Sequence, residues 1–174
     1  VDQMELMSEY ETAIANEEFK VYYQPVVEAT SGNLISAEAL VRWVHPQRGL
    51  VSPAAFIPAL ENGGHISKLD WFIADRVAKV DQRCYAEGIP VVPVSVNLSW
   101  MDFYDEEMLQ RLVELLKSNA IKKGDIRLEI TETSYAAPES DREKILEEFH
   151  LSGAKILLDD FGSGYSSFGM LKQY

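Results

Sequence analysis

The sequence predicts an α/β fold built on a parallel sheet, either doubly wound or closed as a barrel. Three observations predict it. Apolar strand-type runs alternate with helical patterns along the 174 residues, acidic residues fall within or at the ends of those strands, and no repeat or linker divides the chain. Hydrophobic residues make up 47% and charged residues 25%, the balance of a folded domain rather than a disordered one. A chain of this length buries one sizeable core.

The elements follow in order. Met4, Met7, Tyr10 and Ile14 recur at helical spacing and predict an opening amphipathic helix. Lys20–Val26 reads as a strand closed by the turn residues Ser31, Gly32 and Asn33. In Ile35–Trp43, Ile35, Ala37, Ala39 and Val41 share one face, while Ser36, Glu38, Leu40 and Arg42 share the other. His45-Pro46 and Gly49 mark a turn, and Pro53–Glu61 a short helix. Ser67–Glu87 is the strongest helical pattern. Leu69, Ile73, Val77, Val80 and Cys84 form its apolar stripe, Ser67-x-x-Asp70 a capping-type opening, and Gly88 with Pro90 its stop. Val91–Leu98 is a strand, Glu106–Ser118 a helix and Ile126–Thr131 a strand. Glu139–Leu151 is a helix opening on the capping box Ser140-x-x-Glu143, and Lys155–Asp160 is a fifth strand running into the loop Gly162–Ser167. A (β/α)8 barrel takes about 250 residues, so the barrel form requires a longer parent chain. The start at Val1, without an initiator Met, carries the same expectation.

Charge and cysteine content remove several functions. Sixteen Lys and Arg stand against 28 Asp and Glu, a net charge of −12. That balance excludes sequence-independent binding to polymeric nucleic acid, which needs a basic face. A small phosphate ligand then requires mediating metal ions. Cys84 is the only cysteine, which excludes a disulfide framework or a Cys-rich zinc site and fits a reducing, cytoplasmic compartment. No signal-peptide layout opens the chain, and no apolar run approaches the roughly 20 residues of a membrane span. The parent can still be membrane-anchored through another domain.

The informative polar residues are Glu38 on the second strand, Asn97 near the end of the third, Glu129 on the fourth, and Asp159 and Asp160 at the end of the fifth. In parallel α/β folds, sites form at the carboxyl ends of strands. Carboxylates drawn together there repel unless a cation neutralises them, and hard oxygen donors without His or Cys suit Mg2+, Mn2+ or Ca2+. Taken singly, each acid is as readily hydrogen-bonded structure as a ligand. Asp160 also has the alternative of capping a following helix. Arg42 can pair with an acid or hold a phosphate by paired hydrogen bonds. His45 reads as loop structure, and His65 and His150 as surface or helix-end residues. Cys84 reads as a small core residue. Trp43, Trp71 and Trp100 read as packing, with Trp43 also placed to border a ligand pocket beside Arg42. Glu139, Glu143, Glu147 and Glu148 form a solvated helix face.

As a set these residues resemble the EAL domains, phosphodiesterases that hydrolyse cyclic di-GMP. The resemblance rests on Ala37-Glu38-Ala39-Leu40-Val41-Arg42-Trp43, on Tyr22-Tyr23-Gln24-Pro25 before it, and on His45-Pro46, Gly49, Pro53 and Phe56-Ile57-Pro58 after it. It continues through Val96-Asn97-Leu98-Ser99, Leu128-Glu129-Ile130-Thr131-Glu132 and Leu158-Asp159-Asp160-Phe161-Gly162-Ser163-Gly164-Tyr165-Ser166-Ser167. It implies an α/β modified TIM (β/α)8 barrel with an antiparallel first strand, of which this chain carries about the first five strands. Residues 19–174 would form the incomplete EAL domain, and residues 1–18 a helical connector from an upstream GGDEF or sensory domain.

The resemblance further implies two divalent ions, Mg2+ or Mn2+. Glu38, Asn97, Glu129 and Asp159 would ligate the first and Asp160 would help hold the second. Gln24, Leu40 and Arg42 would contact cyclic di-GMP, Arg42 at a phosphate. Glu132 would position the loop after Asp160, and a homodimer would form around that loop. The family's catalytic Lys, general-base Glu and last three strands have no counterpart in residues 1–174, and Ala59-Leu60-Glu61-Asn62-Gly63-Gly64 departs from the usual Leu-Ala-Glu-x-Thr-Gly. The expectation is therefore a parent that converts cyclic di-GMP to linear pGpG, with this stretch inactive alone. A catalytically inactive cyclic di-GMP receptor and a protein-interaction module are the alternatives; a catalytic Lys and Glu in the parent would favour the enzyme.

Overall fold

The structure, a computed structural model, describes residues 3–118, 120–131 and 139–159. Glu132, Asp160, the loop Gly162–Ser167 and the side chain of Ser140 lie outside the described residues. The elements are α1 (Gln3–Ala15), β1 (Phe19–Val27), β2 (Leu34–His45), β3 (Gly49–Val51), α2 (Pro53–Asn62), α3 (Ile66–Glu87), β4 (Val94–Leu98), a 3-10 turn (Trp100–Tyr104), α4 (Glu106–Lys117), β5 (Ile126–Thr131), α5 (Glu139–Ser152) and β6 (Lys155–Asp159).

One sheet runs β1-β2-β4-β5-β6, with β3 added to β2. Residues 28–33 are too few for a crossover, so β1 returns antiparallel to β2; Gly32, at φ 73°, and the Glu28 N–H to Asn33 carbonyl bond of 2.9 Å close the link. β2, β4, β5 and β6 are mutually parallel, each joined to the next through helix. An antiparallel first strand followed by parallel strands is the expected barrel opening. Among the described residues the sheet is not closed.

The outward face of the sheet makes the core. Ala37, Ala39, Val41 and Trp43 of β2, Val94, Val96 and Leu98 of β4, and Ile126, Leu128 and Ile130 of β5 are buried. They join one cluster with Leu69, Ile73 and Val77 of α3, Leu112 and Leu116 of α4, and Leu146 and Phe149 of α5. Glu38, Leu40, Arg42, Asn97 and Glu129 occupy the alternate positions and are only half-buried. Among the described residues, no helix is long and apolar enough to cross a membrane.

Several local expectations are corrected. The buried stripe of α1 is Leu6, Tyr10 and Ala13, while Met4 is 81% exposed. The helix rotates to bring Tyr10 edge-on to Phe19 and its hydroxyl to the His65 carbonyl at 3.0 Å, which leaves Met7 and Ile14 at the rim. Ser67 does not cap α3: the helix starts at Ile66, so Ser67 lies inside its first turn, buried. Its hydroxyl bonds the Asp102 carboxylate instead. β4 starts at Val94 rather than Val91, because Pro93 offers the ladder a carbonyl, to the Ala37 N–H, but no N–H. The apolar stripe of α3 fades past Val77: Val80 is exposed and Cys84 half-buried.

His45 is not loop but the buried end of β2, because Gly49–Val51 pairs back onto Trp43–His45. Its Nδ1 accepts the Gln47 N–H at 3.1 Å, so Nε2 carries the proton towards Glu9 Oε2 at 2.5 Å. Arg48 pairs with the same Glu9 at 2.7 Å, tying α1 to the β2–β3 hairpin.

Asp81 of α3 is 3% exposed, and its Oδ2 finds no hydrogen-bond partner. Burial first, and the Asp125 carboxylate second, push its pKa up to about 7. A carboxyl that holds its proton more tightly when folded favours folding fully below the unfolded pKa of about 4 and loses that contribution as pH rises through about 7. Asp81→Asn is expected to remove this loss, so that between pH 5 and pH 8 the variant gains roughly 2 kcal/mol on the wild type. Paired urea unfolding curves at the two pH values measure it, and parallel pH dependence would contradict it.

Candidate functional site

The site face is assembled by strand register. Gln24 on β1 lies opposite Glu38 on β2, and Tyr22 opposite Leu40, with Arg42 two residues further. Directly opposed residues of an antiparallel pair share a face, so Tyr22, Gln24, Glu38, Leu40 and Arg42 all lie on the inner side. In the parallel part, Glu38 is in register with Ser95, Asn97 with Glu129, and Thr131 with Asp159. The acid and amide positions therefore climb two residues from β2 to β4, none from β4 to β5 and two from β5 to β6. A barrel whose strands tilt with a shear of about one residue per strand brings such a staircase to one height along its axis.

Contacts follow this placement. Asn97 Nδ2 donates to Glu38 Oε1 at 3.1 Å. The Glu129 carboxyl is held above the ordinary carboxylate range by burial, against a hydrogen bond from Ser95 that lowers it; the Glu38 and Asp159 carboxylates push it up further, and Arg127 pulls it down. Glu38, Asn97 and Glu129 are thus brought together, and the charge of Asp159, at the exposed end of β6, reaches Glu129. Among the described residues, no group of three or more His, Cys, Asp or Glu side chains is gathered closely enough to hold a metal ion by itself. The donors nevertheless fit a hard divalent cation in kind: three carboxylates and an amide, without His or Cys, on one inner face where one carboxyl already resists ionisation. Ser95→Ala, by removing the hydrogen bond that lowers it, is expected to raise the Glu129 pKa. Carboxyl 13C NMR titration reads this directly, and an unchanged or lowered value would contradict it.

Arg42 is half-buried; its Nη1 donates to the Val41 carbonyl at 2.8 Å, and its guanidinium lies 6.0 Å from the centre of the Tyr22 ring. Trp43 points the other way, into the core, so it packs and does not border the inner face.

The exit of β4 is held by a clasp that sequence reasoning missed. The Ser99 N–H donates to both Asp70 Oδ2 at 3.2 Å and Asp102 Oδ2 at 2.9 Å, while the Ser99 hydroxyl donates to Glu61 at 2.8 Å. Asp70 and Asp102 are buried side by side, and burial holds Asp70 well above the ordinary range; the proton it keeps supplies the donor that lets two carboxyls pack together. This fixes the chain two residues beyond Asn97. The pattern Ser99-x-x-Asp102 was the available signal, since it forms the capping box of the 3-10 turn.

The sequence matches the EAL domain family over residues 7–174. It is 31% identical over 172 residues to the bifunctional diguanylate cyclase/cyclic di-GMP phosphodiesterase MucR of Pseudomonas aeruginosa, covering 99% of this chain and 25% of that protein. Against a further cyclic di-GMP phosphodiesterase of P. aeruginosa the identity is 35% over 169 residues, covering 96% of this chain and 28% of that protein. The solved structure of the PaMucR phosphodiesterase in complex with c-di-GMP superposes with a TM-score of 0.86 at 32% identity, covering 97% of this chain and 68% of that one. The FimX EAL domain of Xanthomonas citri, at 20% identity, shares the fold with a TM-score of 0.83 and covers 98% of this chain and 66% of that one. The chain spans about a quarter of the length of the curated relatives it matches most fully. It belongs to the EAL domain family.

Proposed function

We propose that the protein carrying this chain hydrolyses cyclic di-GMP to linear pGpG with the help of two divalent ions, Mg2+ or Mn2+. The observation that carries this reading is the meeting of Glu38, Asn97 and Glu129 on one inner face, with the Glu129 carboxyl held above its usual range by burial and by its acidic neighbours. Relatives named as cyclic di-GMP phosphodiesterases support it.

Glu38, Asn97, Glu129 and Asp159 would hold the first ion, and Asp160 the second. Bound there, such ions polarise a phosphodiester and lower the pKa of a water. Around them the chain's own residues orient the ligand. Arg42 pairs with a phosphate, Gln24 and Leu40 seat the dinucleotide, and Glu132 positions the loop after Asp160. Cationic groups on this face offset the repulsion between an anionic ligand and a chain of net charge −12. Residues 1–18 would connect to an upstream GGDEF or sensory domain, and a homodimer would form around the loop after Asp160.

The test is product analysis by chromatography on the purified full-length protein incubated with cyclic di-GMP and Mg2+ or Mn2+. The reading expects pGpG to form and chelation by EDTA to stop it. Tight binding of cyclic di-GMP without turnover would contradict hydrolysis.

A further inference from the structure

We infer that Tyr22 is a further ligand-contacting residue, an aromatic platform on which a purine base of the bound dinucleotide stacks beside the guanidinium of Arg42. This rests on the reading of the ligand as cyclic di-GMP. The β1–β2 register sets Tyr22 opposite Leu40, one inward position away from both Gln24 and the level of Arg42. A diagonal neighbour across an antiparallel pair is within reach of a long side chain, and Arg42 takes that place, its guanidinium 6.0 Å from the ring centre.

Two successive tyrosines meet opposite surroundings. Tyr23 faces outward near Asp81 and Cys84, where it is 39% exposed and partial burial pushes its phenol up to about 12. Tyr22 faces the site side and remains 51% exposed. A large aromatic ring left half in solvent on the polar face adds little to the core that Phe19 and Trp43 fill from the other side. A nucleotide carries a flat base and a phosphate on one ribose; Tyr22 and Arg42 offer a flat ring and a guanidinium side by side. A stacked base adds dispersion over its whole face, and a neighbouring cation strengthens the arrangement.

The test compares wild type, Tyr22→Phe and Tyr22→Leu in the full-length protein, with cyclic di-GMP turnover and melting temperature read together. Loss of stacking is expected to raise KM about ten-fold or more in Tyr22→Leu with kcat little changed, because the base is held alike in ground and transition states. Tyr22→Phe is expected to keep the wild-type KM. A Tyr22→Leu variant that melts earlier but keeps the wild-type KM would show the ring to be core filling and overturn the inference, as would a Tyr22→Phe loss as large as that of leucine. Where leucine prevents folding, Tyr22→Met is read in the same way. A wild type that neither binds nor cleaves cyclic di-GMP would overturn the functional reading and this inference with it, whereas an active wild type with unaffected variants overturns this inference alone.

Discussion

Glu38→Ala in the full-length protein is expected to lower cyclic di-GMP hydrolysis by about a thousand-fold or more, with the melting temperature close to wild type. The two halves have different causes. Glu38 is half-buried on the inner face and contributes no apolar packing to the outward core. Its known partner is the Asn97 amide at 3.1 Å, which solvent can replace. Removing its charge also relieves one of the repulsions that hold Glu129 above its ordinary range, which offsets part of the lost hydrogen bond. Activity suffers otherwise: a divalent ion supplies several kcal/mol of charge stabilisation to a phosphodiester transition state, and roughly 4 kcal/mol corresponds to a thousand-fold in rate. Steady-state kinetics alongside calorimetric Mn2+ titration checks both parts. Retained turnover with unchanged metal affinity would show that Glu38 is not a ligand.

Trp43→Ala is expected to produce the largest loss of stability, about 3 to 5 kcal/mol. Trp43 is fully buried, its ring centre 4.9 Å from that of Phe19, 5.6 Å from Phe56 and 5.5 Å from His45. Its indole N–H donates to Glu18 Oε2 at 2.9 Å, and the Val44 N–H donates to the Glu18 carbonyl at 2.8 Å, so the ring locks the junction of α1 and β1 onto the end of β2. Truncation leaves a cavity among rigid rings that cannot collapse, and removes the donor to Glu18. For a domain of this size the melting temperature should fall by about 10 °C or more. Trp43→Phe, which keeps most of the packing and loses the N–H, should cost clearly less. A loss below about 1 kcal/mol for alanine would mean that the aromatic cluster is not the keystone of the β1–β2 end.

What the sequence revealed, and what it concealed, follows the range of the interactions involved. The period-two alternation of Ile35–Trp43 already separated Ala37, Ala39 and Val41 from Glu38, Leu40 and Arg42, because one pleated strand decides that locally. Gly88 ends α3 at φ 72° as a glycine stop signal should, its N–H reaching the Cys84 and Tyr85 carbonyls. The face of α1 was less legible: Met4 and Leu6 have equal claims by spacing, and only the position of Tyr10 against Phe19 decides between them. β3 was missed because three residues carry no period, and His45 was misread because its burial depends on that strand. The clasp around Ser99 joins Glu61, Asp70 and Asp102 across 38 and 29 residues and across 3, and only the last separation leaves a mark in a sequence window. The candidate site residues stood out in the sequence as acids and an amide set among apolar strand residues; their relative heights, with Glu38 in the middle of β2 and Asp159 at the end of β6, follow from the register between strands.

The most direct measurement is an anomalous diffraction map from crystals of the full-length protein soaked in Mn2+. A peak is expected on the inner face with oxygens of Glu38, Asn97, Glu129 and Asp159 around it, at the roughly 2.0 to 2.2 Å typical of a small hard divalent ion. A peak held by other residues, or these four side chains standing too far apart to touch one ion, would contradict it.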